Sequence, residues 1–294
     1  RADKSITSDH RQRMVRILEV FPNTELSNNQ AQNIAMFDLA YYPQERGPYN
    51  FDVEGAPGIS SGIDADGNLL DPESRWAGIM RPLQINNFEE QNIEFIQFWV
   101  MDPFLEDPSN QGGDLYFNLG NISEDILKDS RQSFENGVDP LTGIASLDST
   151  TWGYVPKVQP ITEFFDNDAS TRPSQDAGFD MMNDDLERSW SYKGQPTYTG
   201  RVDGAFGQGS TAYQQAFSDP GHDNFGFYLS PELDNADADI LERYKNFNGP
   251  QANSSTGTVN SIPASFTNLP DKEDANRDQT LNKTESYYQY SVSM

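Results

Sequence analysis

Residues 274–285 read D-A-N-R-D-Q-T-L-N-K-T-E. Oxygen-bearing side chains fall at positions 1, 3, 5, 9 and 12 of this twelve-residue loop: Asp274, Asn276, Asp278, Asn282 and Glu285. Thr280 stands at position 7, where a backbone carbonyl is used, and the apolar Leu281 at position 8. This is the spacing with which an EF-hand-type loop wraps a hard cation such as Ca2+, the last Glu closing the shell with both oxygens. One position departs from the pattern. Position 6, normally Gly for the sharp turn, is Gln279, which carries backbone strain if the turn is kept. The alternative is an acidic linker, since a chain with 46 Asp and Glu offers such alignments by chance.

A second acidic run, D-A-G-F-D-M-M-N-D-D-L-E, extends from Asp176 to Glu187. Asp176, Asp180, Asp184 and Glu187 take positions 1, 5, 9 and 12, while Gly178 and Met181 stand at positions 3 and 6. Structural Ca2+ is one reading; a helix N-terminus capped by Asn183 or Asp184 is the other. A third cluster, Asp64, Asp66, Asn68 and Asp71, has its Gly67 one residue early for the loop register and reads as a tight Asp-Gly turn.

Other chemistries find little support. G-x-G-x-x-G and G-x-x-x-x-G-K are missing, and the G-x-S-x-G string at Gly58-Ile-Ser-Ser-Gly62 falls inside a Gly/Pro/Asp-rich loop rather than between a strand and a helix. Of the two histidines, His222 lies in Asp219-Pro-Gly-His-Asp223, which reads as a turn rather than as part of a triad. Carboxylate pairs for glycoside hydrolysis are available, but no pair stands out. An enzyme is therefore not expected. With no cysteine there is no disulfide framework and no thiolate metal site. The net charge of −26 argues against nucleic acid and anionic membrane surfaces, and bound divalent cations would relieve its self-repulsion.

The elements that must position these loops are few. Hydrophobic residues make up 35%, while Gly and Pro total 40 of 294 residues, which points to strands and loops. Alternation suggests strands at 14–21, 34–42 and 76–80, with a Gly/Pro/Asp-rich loop over 43–73. Ile93–Met101 is apolar on both faces and reads as a central, doubly covered strand. Asp114–Leu119 is expected beside it. A helix is expected from an N-cap at Ser123 to a C′ at Gly137, with Ile126, Leu127 and Phe134 facing the sheet. Residues 138–284 are rich in Asp, Asn, Ser, Gly and Pro and read as a long irregular acidic insertion, with a short helix over 238–247. Ser286–Ser293 alternates as a strand. The aromatic run Tyr41–Phe51 offers either a sugar-stacking platform or, more simply, a loop packed on its own sheet.

The expected fold is mainly β: a jelly-roll-like β-sandwich over 1–137, the insertion over 138–284, and a returning strand over 285–294, with one or two short helices. The chain opens at Arg1 without an apolar leader and stops at the end of a strand. It is expected to be a soluble piece of a larger protein.

Longer strings carry a family resemblance. Tyr41-Tyr-Pro-Gln-Glu-Arg-Gly-Pro-Tyr-Asn50, Asp71-Pro-Glu-Ser-Arg-Trp-Ala-Gly-Ile-Met-Arg81 and Asn92-Ile-Glu-Phe-Ile-Gln-Phe-Trp-Val-Met-Asp-Pro-Phe104 resemble the SprA/Sov family. So do Leu115–Asp125, Leu241–Asn248 and Glu273–Asn282. The resemblance implies a soluble segment of a giant outer-membrane β-barrel translocon of the type 9 secretion system, linked to gliding motility. It implies a conduit for folded cargo rather than a catalyst, so no catalytic residue is carried over. It also implies partners: other segments of the same barrel protein, a lateral-gate barrel protein, a periplasmic plug and the secreted cargo. The extramembrane portion is expected at the outer membrane, on the extracellular side in preference to the periplasmic one. Apart from the resemblance, a carbohydrate-binding or adhesin β-sandwich using Trp76 or Tyr42 is the rival class.

Overall fold

The computed structural model describes residues 13–58, 60–84, 87–105, 107–134, 143–158, 180–247, 258–259, 262–263, 274–276 and 278–294. Its hydrophobic core is small and lies between a looped segment and two helices. Phe51, Val53, Ile63 and Leu69 pack on Tyr198, Val202, Ala212 and Ala216, with Trp190, Phe206 and Tyr213 at the margin. The helices are α3 (Tyr198–Phe206) and α4 (Thr211–Ser218). Each has a hydroxyl N-cap: Thr197 accepts from the Gly200 N–H at 3.2 Å and Ser210 from the Tyr213 N–H at 3.1 Å. Such caps satisfy amide donors that a helix cannot pair internally. The looped segment is tied to them through the Ala212 N–H, which donates to the Ala65 carbonyl at 3.0 Å, and through Arg201, which donates to the Phe51 carbonyl.

Four further helical segments are short: α1 (Ile17–Val20), α2 (Asp184–Ser189), α5 (Pro231–Asn235) and α6 (Ile240–Lys245). Among the described residues, five of the six α-helices thus fall within 138–284, where the composition suggested irregular chain and one short helix. That helix is α6, N-capped by Asp239, which accepts from the Glu242 N–H at 2.9 Å. α2 follows the capped-helix reading of its segment: Asn183 accepts from the Leu186 N–H at 3.0 Å.

The described strands form three two-stranded antiparallel sheets. β1 (Asp114–Asn121) pairs with β6 (Ser286–Ser293), Phe117 opposite Tyr290 and Asn118 opposite Gln289. β2 (Leu147–Ser149) pairs with β3 (Tyr154–Pro156), and β4 (Thr258–Val259) with β5 (Ile262–Pro263). β6 forms where alternation placed it, but the neighbour expected for β1 was 93–101. That segment is extended without a ladder among the described residues, and Phe95, Ile96, Trp99 and Val100 are each more than half exposed. A strand exists only as a pair, and among the described residues β1 pairs with β6. The contact that remains is between side chains, with the Phe98 and Phe117 rings 4.5 Å apart.

Three other expectations are corrected. Residues 14–21 hold one bridge, Arg16 to Asn33, and then turn into α1. Residues 34–42 and 76–80 carry no ladder, and Trp76 is 85% exposed. The segment from Ser123 is not a helix over its described part: Asp125 and Ser130 have φ of +53° and +62°, which no right-handed helix accommodates. Phe134 is nonetheless buried. Gly137 lies outside the described residues.

Candidate metal centre

The 274–285 loop folds locally in the register its spacing implies. Asp274 accepts from the Asp278 N–H at 3.0 Å and the Gln279 N–H at 2.7 Å, and Asn276 accepts from the Asp278 N–H at 2.9 Å. Asp278 in turn accepts from the Thr280 N–H and hydroxyl at 2.9 and 2.6 Å. These bonds, the Thr280 hydroxyl first, lower the Asp278 pKa. Gln279 sits at φ +70°, the left-handed geometry that position 6 demands. The loop's acids do not converge as a set: Asp274, Asp278 and Glu285 are not among the carboxylate groups whose oxygens gather within 4.8 Å. Glu124, from the loop after β1, enters from outside the motif. One of its oxygens accepts from the Ala275 N–H at 2.8 Å, the other from the Asn282 N–H and side-chain amide at 2.8 and 3.1 Å. Gln132 adds a bond to the Leu281 carbonyl at 2.6 Å.

The Asp64 cluster is the tight turn that its sequence suggests. Asp64 accepts from the Asp66 and Asn68 N–H groups at 3.0 and 2.8 Å, and Gly67 has φ +86°.

The second acidic run is where carboxylates converge. Asp176 lies outside the described residues. Asp180, Asp184 and Glu187 are brought together, and two acids from the turn after α4 join them. Asp180, Glu187 and Asp223 form one group whose ligand oxygens lie within 4.8 Å of one another; Asp184, Glu187 and Asp219 form another. The first group is deeply buried, at 1%, 2% and 6% exposure in that order. Asp180 Oδ2 and Glu187 Oε1 are sealed from solvent with no hydrogen-bond partner among the described residues.

Each ligand is set by local structure. Asp180 precedes Met181, whose φ is +62°, and its Oδ1 accepts from the Met182 N–H at 2.9 Å. Its carbonyl takes the Tyr154 N–H at 3.0 Å. The opposing residue is Gly153 at φ +133°; a Cβ there would lie 2.6 Å from the Asp180 carbonyl oxygen. Glu187 is the one buried residue of α2 and projects toward Gly221, whose N–H donates to Glu187 Oε2 at 2.7 Å. The 219–223 turn is held from behind by buried Arg46, which donates to the Pro220 carbonyl at 2.6 Å and the Asp219 carbonyl at 3.1 Å while stacking over Tyr198 at 4.5 Å. His222 belongs to this turn at φ +55°, and burial, then Arg46, depresses its pKa.

Burying like charges together is costly without a counter-charge. Desolvation, reinforced by Glu187 and Asp223, holds the Asp180 carboxyl well above the usual range. Desolvation and then Asp223 push Glu187 up to about 9. The outer group is different. Asp184 accepts from Asn224 at 3.0 Å and lies 3.8 Å from Arg188, and Asp219 accepts from the Asp223 N–H at 3.2 Å. Its charges already have partners.

Asp219 and Asp223 were missed as site residues because they follow Glu187 by 32 and 36 positions, outside any loop register. The available signal was an Asp-Pro-Gly-His-Asp turn with an acid at each end and a glycine between. In the aromatic run, Phe51 is buried against Trp190 and Tyr198, whereas Tyr41 and Tyr42 are exposed, Lys245 sitting over Tyr42 at 4.8 Å.

No curated protein matches the chain. Residues 197–294 match the family SprA_N, described as motility related/secretion protein. The matched third holds α3 to α6, Asp219 and Asp223, the 274–285 loop and β6, and over these residues the chain is similar to the motility-related and secretion proteins of that family.

Proposed function

We propose that the chain is a soluble extramembrane segment of a type 9 secretion system outer-membrane translocon, structuring or covering its protein-conducting pore. The observation that carries this reading is the family match over 197–294, which assigns a motility- and secretion-related role. Two features support it. No described helix is long and apolar enough to cross a membrane. The surface also carries large apolar side chains, among them Trp76, Phe95, Trp99 and Tyr288, at 61–85% exposure. Exposed aromatics rimmed by polar residues suit docking onto other protein surfaces. In this reading they meet the rest of the barrel protein, its lateral-gate and plug partners, or passing cargo. The β1–β6 ribbon then extends into a larger jelly-roll-like assembly with strands contributed from elsewhere. The role is that of a conduit wall, not of a catalyst.

The test replaces residues 180–245 by a short linker in the complete secretion protein. The expected result is loss of cargo secretion and of gliding, with the barrel still inserted. Unchanged secretion overturns the reading. Because the chain has no cysteine, Tyr288→Cys labelled on intact cells with a membrane-impermeant maleimide reports the side of the membrane. Labelling places the segment outside; protection until the outer membrane is opened places it in the periplasm.

A further inference from the structure

We propose that Asp180, Glu187 and Asp223 ligate one buried divalent cation, calcium by the chemistry of its donors, and that this ion fastens the start of α2 to the turn after α4. The proposal stands apart from the secretory role, since it concerns how the segment is held together.

The geometry argues for an ion rather than for a chance cluster. The three ligand oxygens fall within 4.8 Å of one another, about twice a Ca–O bond of roughly 2.4 Å, so one ion can touch all three. The site is closed, with all three residues at least nine-tenths buried. Asp180 Oδ2 and Glu187 Oε1 have no hydrogen-bond partner among the described residues. No Lys, Arg or His there forms an ion pair with Asp180 or Glu187 either. Buried carboxylate oxygens normally find donors, and an oxygen left without one in a site full of other oxygens has the surroundings of a cation ligand.

Gly221 shows how tightly the oxygens meet. A Cβ built on it would lie 2.5 Å from Glu187 Oε1 and 2.9 Å from Asp223 Oδ1. The two oxygens thus flank one point beside the backbone, and only glycine lets the chain pass there. The donor set is all carboxylate, in a chain with no thiol, which selects hard cations over zinc or copper. Calcium suits it better than magnesium, because its irregular shell of 6–8 oxygens accepts backbone carbonyls and water beside three unevenly placed acids. The Asp184–Asp219 group is excluded as a second site by its existing bonds to Asn224 and Arg188.

The consequence is a staple between distant segments. Residues 180–189 are joined to α3 and α4 otherwise by modest contacts, such as Arg188 donating to the Phe217 carbonyl at 2.9 Å. An ion binding only the folded form stabilises that junction by mass action.

Calorimetric titration of the metal-stripped full chain with CaCl2, with MgCl2 in parallel, tests the proposal. Calcium is expected to bind and to raise Tm by about 5–10 °C at saturation. Glu187→Gln and Asp223→Asn are each expected to weaken binding at least tenfold and to abolish the Tm rise. Each amide variant keeps the shape of the acid and takes an ionisable group out of a buried, like-charged cluster, so both are expected to fold without calcium at least as well as the parent, and a lost response is readable. Asp278→Ala, in the separate 274–285 loop, is expected to leave this binding intact. Absence of calcium binding, magnesium binding of equal strength, or calcium binding lost in Asp278→Ala but kept in Glu187→Gln would each overturn it.

Discussion

Glu124 and Asn282 are bonded in both directions although 158 residues separate them. The Glu124 N–H donates to the Asn282 carbonyl at 2.8 Å, and the Glu124 carboxylate accepts from the Asn282 N–H at 2.8 Å and its side-chain amide at 3.1 Å. This exchange seats the acidic loop on the segment after β1 and leads straight into β6. Glu124 is only 3% exposed. Glu124→Ala strands the Ala275 and Asn282 donors and is expected to cost about 2–4 kcal/mol. Urea denaturation checks this. A loss below about 0.5 kcal/mol would mean that water replaces the carboxylate and that the joint carries little of the stability.

The two acidic loops share a backbone feature with opposite consequences. Gln279 and Met181 each stand at position 6 with φ near +65°, at +70° and +62°, where a non-glycine residue costs about 1–2 kcal/mol. Gln279 is exposed, and Gln279→Gly is expected to stabilise the chain by about 0.5–1 kcal/mol. Met181 is 2% exposed; Met181→Gly gains the same relief but loses a buried side chain worth about 2–5 kcal/mol. The expected sign is therefore reversed. Thermal melts of the two variants settle it, and two shifts of the same sign would contradict the argument.

How much of this could be read in advance follows from the range of the interactions involved. The helix α6, the alternation of β6 and the Asp64 turn rest on local pattern, so spacing exposed them; the Asp239 cap and the Asx bonds inside 274–282 are local too but were not read in advance. Asp180, Asp184 and Glu187 were also legible as one acidic run, although the fold divides Asp180 and Asp184 between two groups that share Glu187. Asp219 and Asp223 were not, because they arrive through the packing of α4 on the core. Alternation likewise marks 93–101 as a strand without saying what will pair with it, and the described partner of β1 is β6, far along the chain. In the 123–134 segment the cap signals were misleading: Glu124 serves a distant loop instead of a first helical turn, and Asp125 turns left-handed at φ +53°.

Gly221→Ala tests the closeness of the site by sterics alone. Its Cβ would stand 2.5 Å from Glu187 Oε1, well inside contact distance, so Glu187 must withdraw and the 2.7 Å bond from the Gly221 N–H must break. The expected cost is about 2–4 kcal/mol, from a lost hydrogen bond plus overpacking. It should be accompanied by loss of any calcium response. Gly204, with open space around its Cβ position and inside α3, is the control: Gly204→Ala is expected to stabilise by up to about 1 kcal/mol. Equal behaviour of the two variants in chemical denaturation would show that the Gly221 backbone can move aside.

The acid cluster also fixes a pH dependence whose sign depends on the ion. Desolvation, then Asp223, pushes Glu187 from 4.5 up to about 9, opposed by the Gly221 N–H and increased further by Asp219 and Asp184. Asp180 is shifted the same way by desolvation, Glu187 and Asp223. Arg188 is engaged chiefly with Asp185 and Asp184, and its attraction to Glu187 does not reverse the shift. A folded carboxyl with a raised pKa holds its proton where the unfolded chain has released it. Without metal, stability is therefore fully present below about pH 4.5 as far as these groups decide it, and it declines as pH rises toward 9. Calcium binds only the ionised carboxylates, so its benefit grows over the same interval. The expected outcome is a Tm of metal-stripped protein that falls between pH 5 and 9, and a gap between calcium-loaded and stripped samples that widens. Glu187→Gln, which cannot ionise, is expected to flatten both trends. Parallel curves for the parent chain, with and without calcium, would mean that the ion and these protons do not compete for the same oxygens.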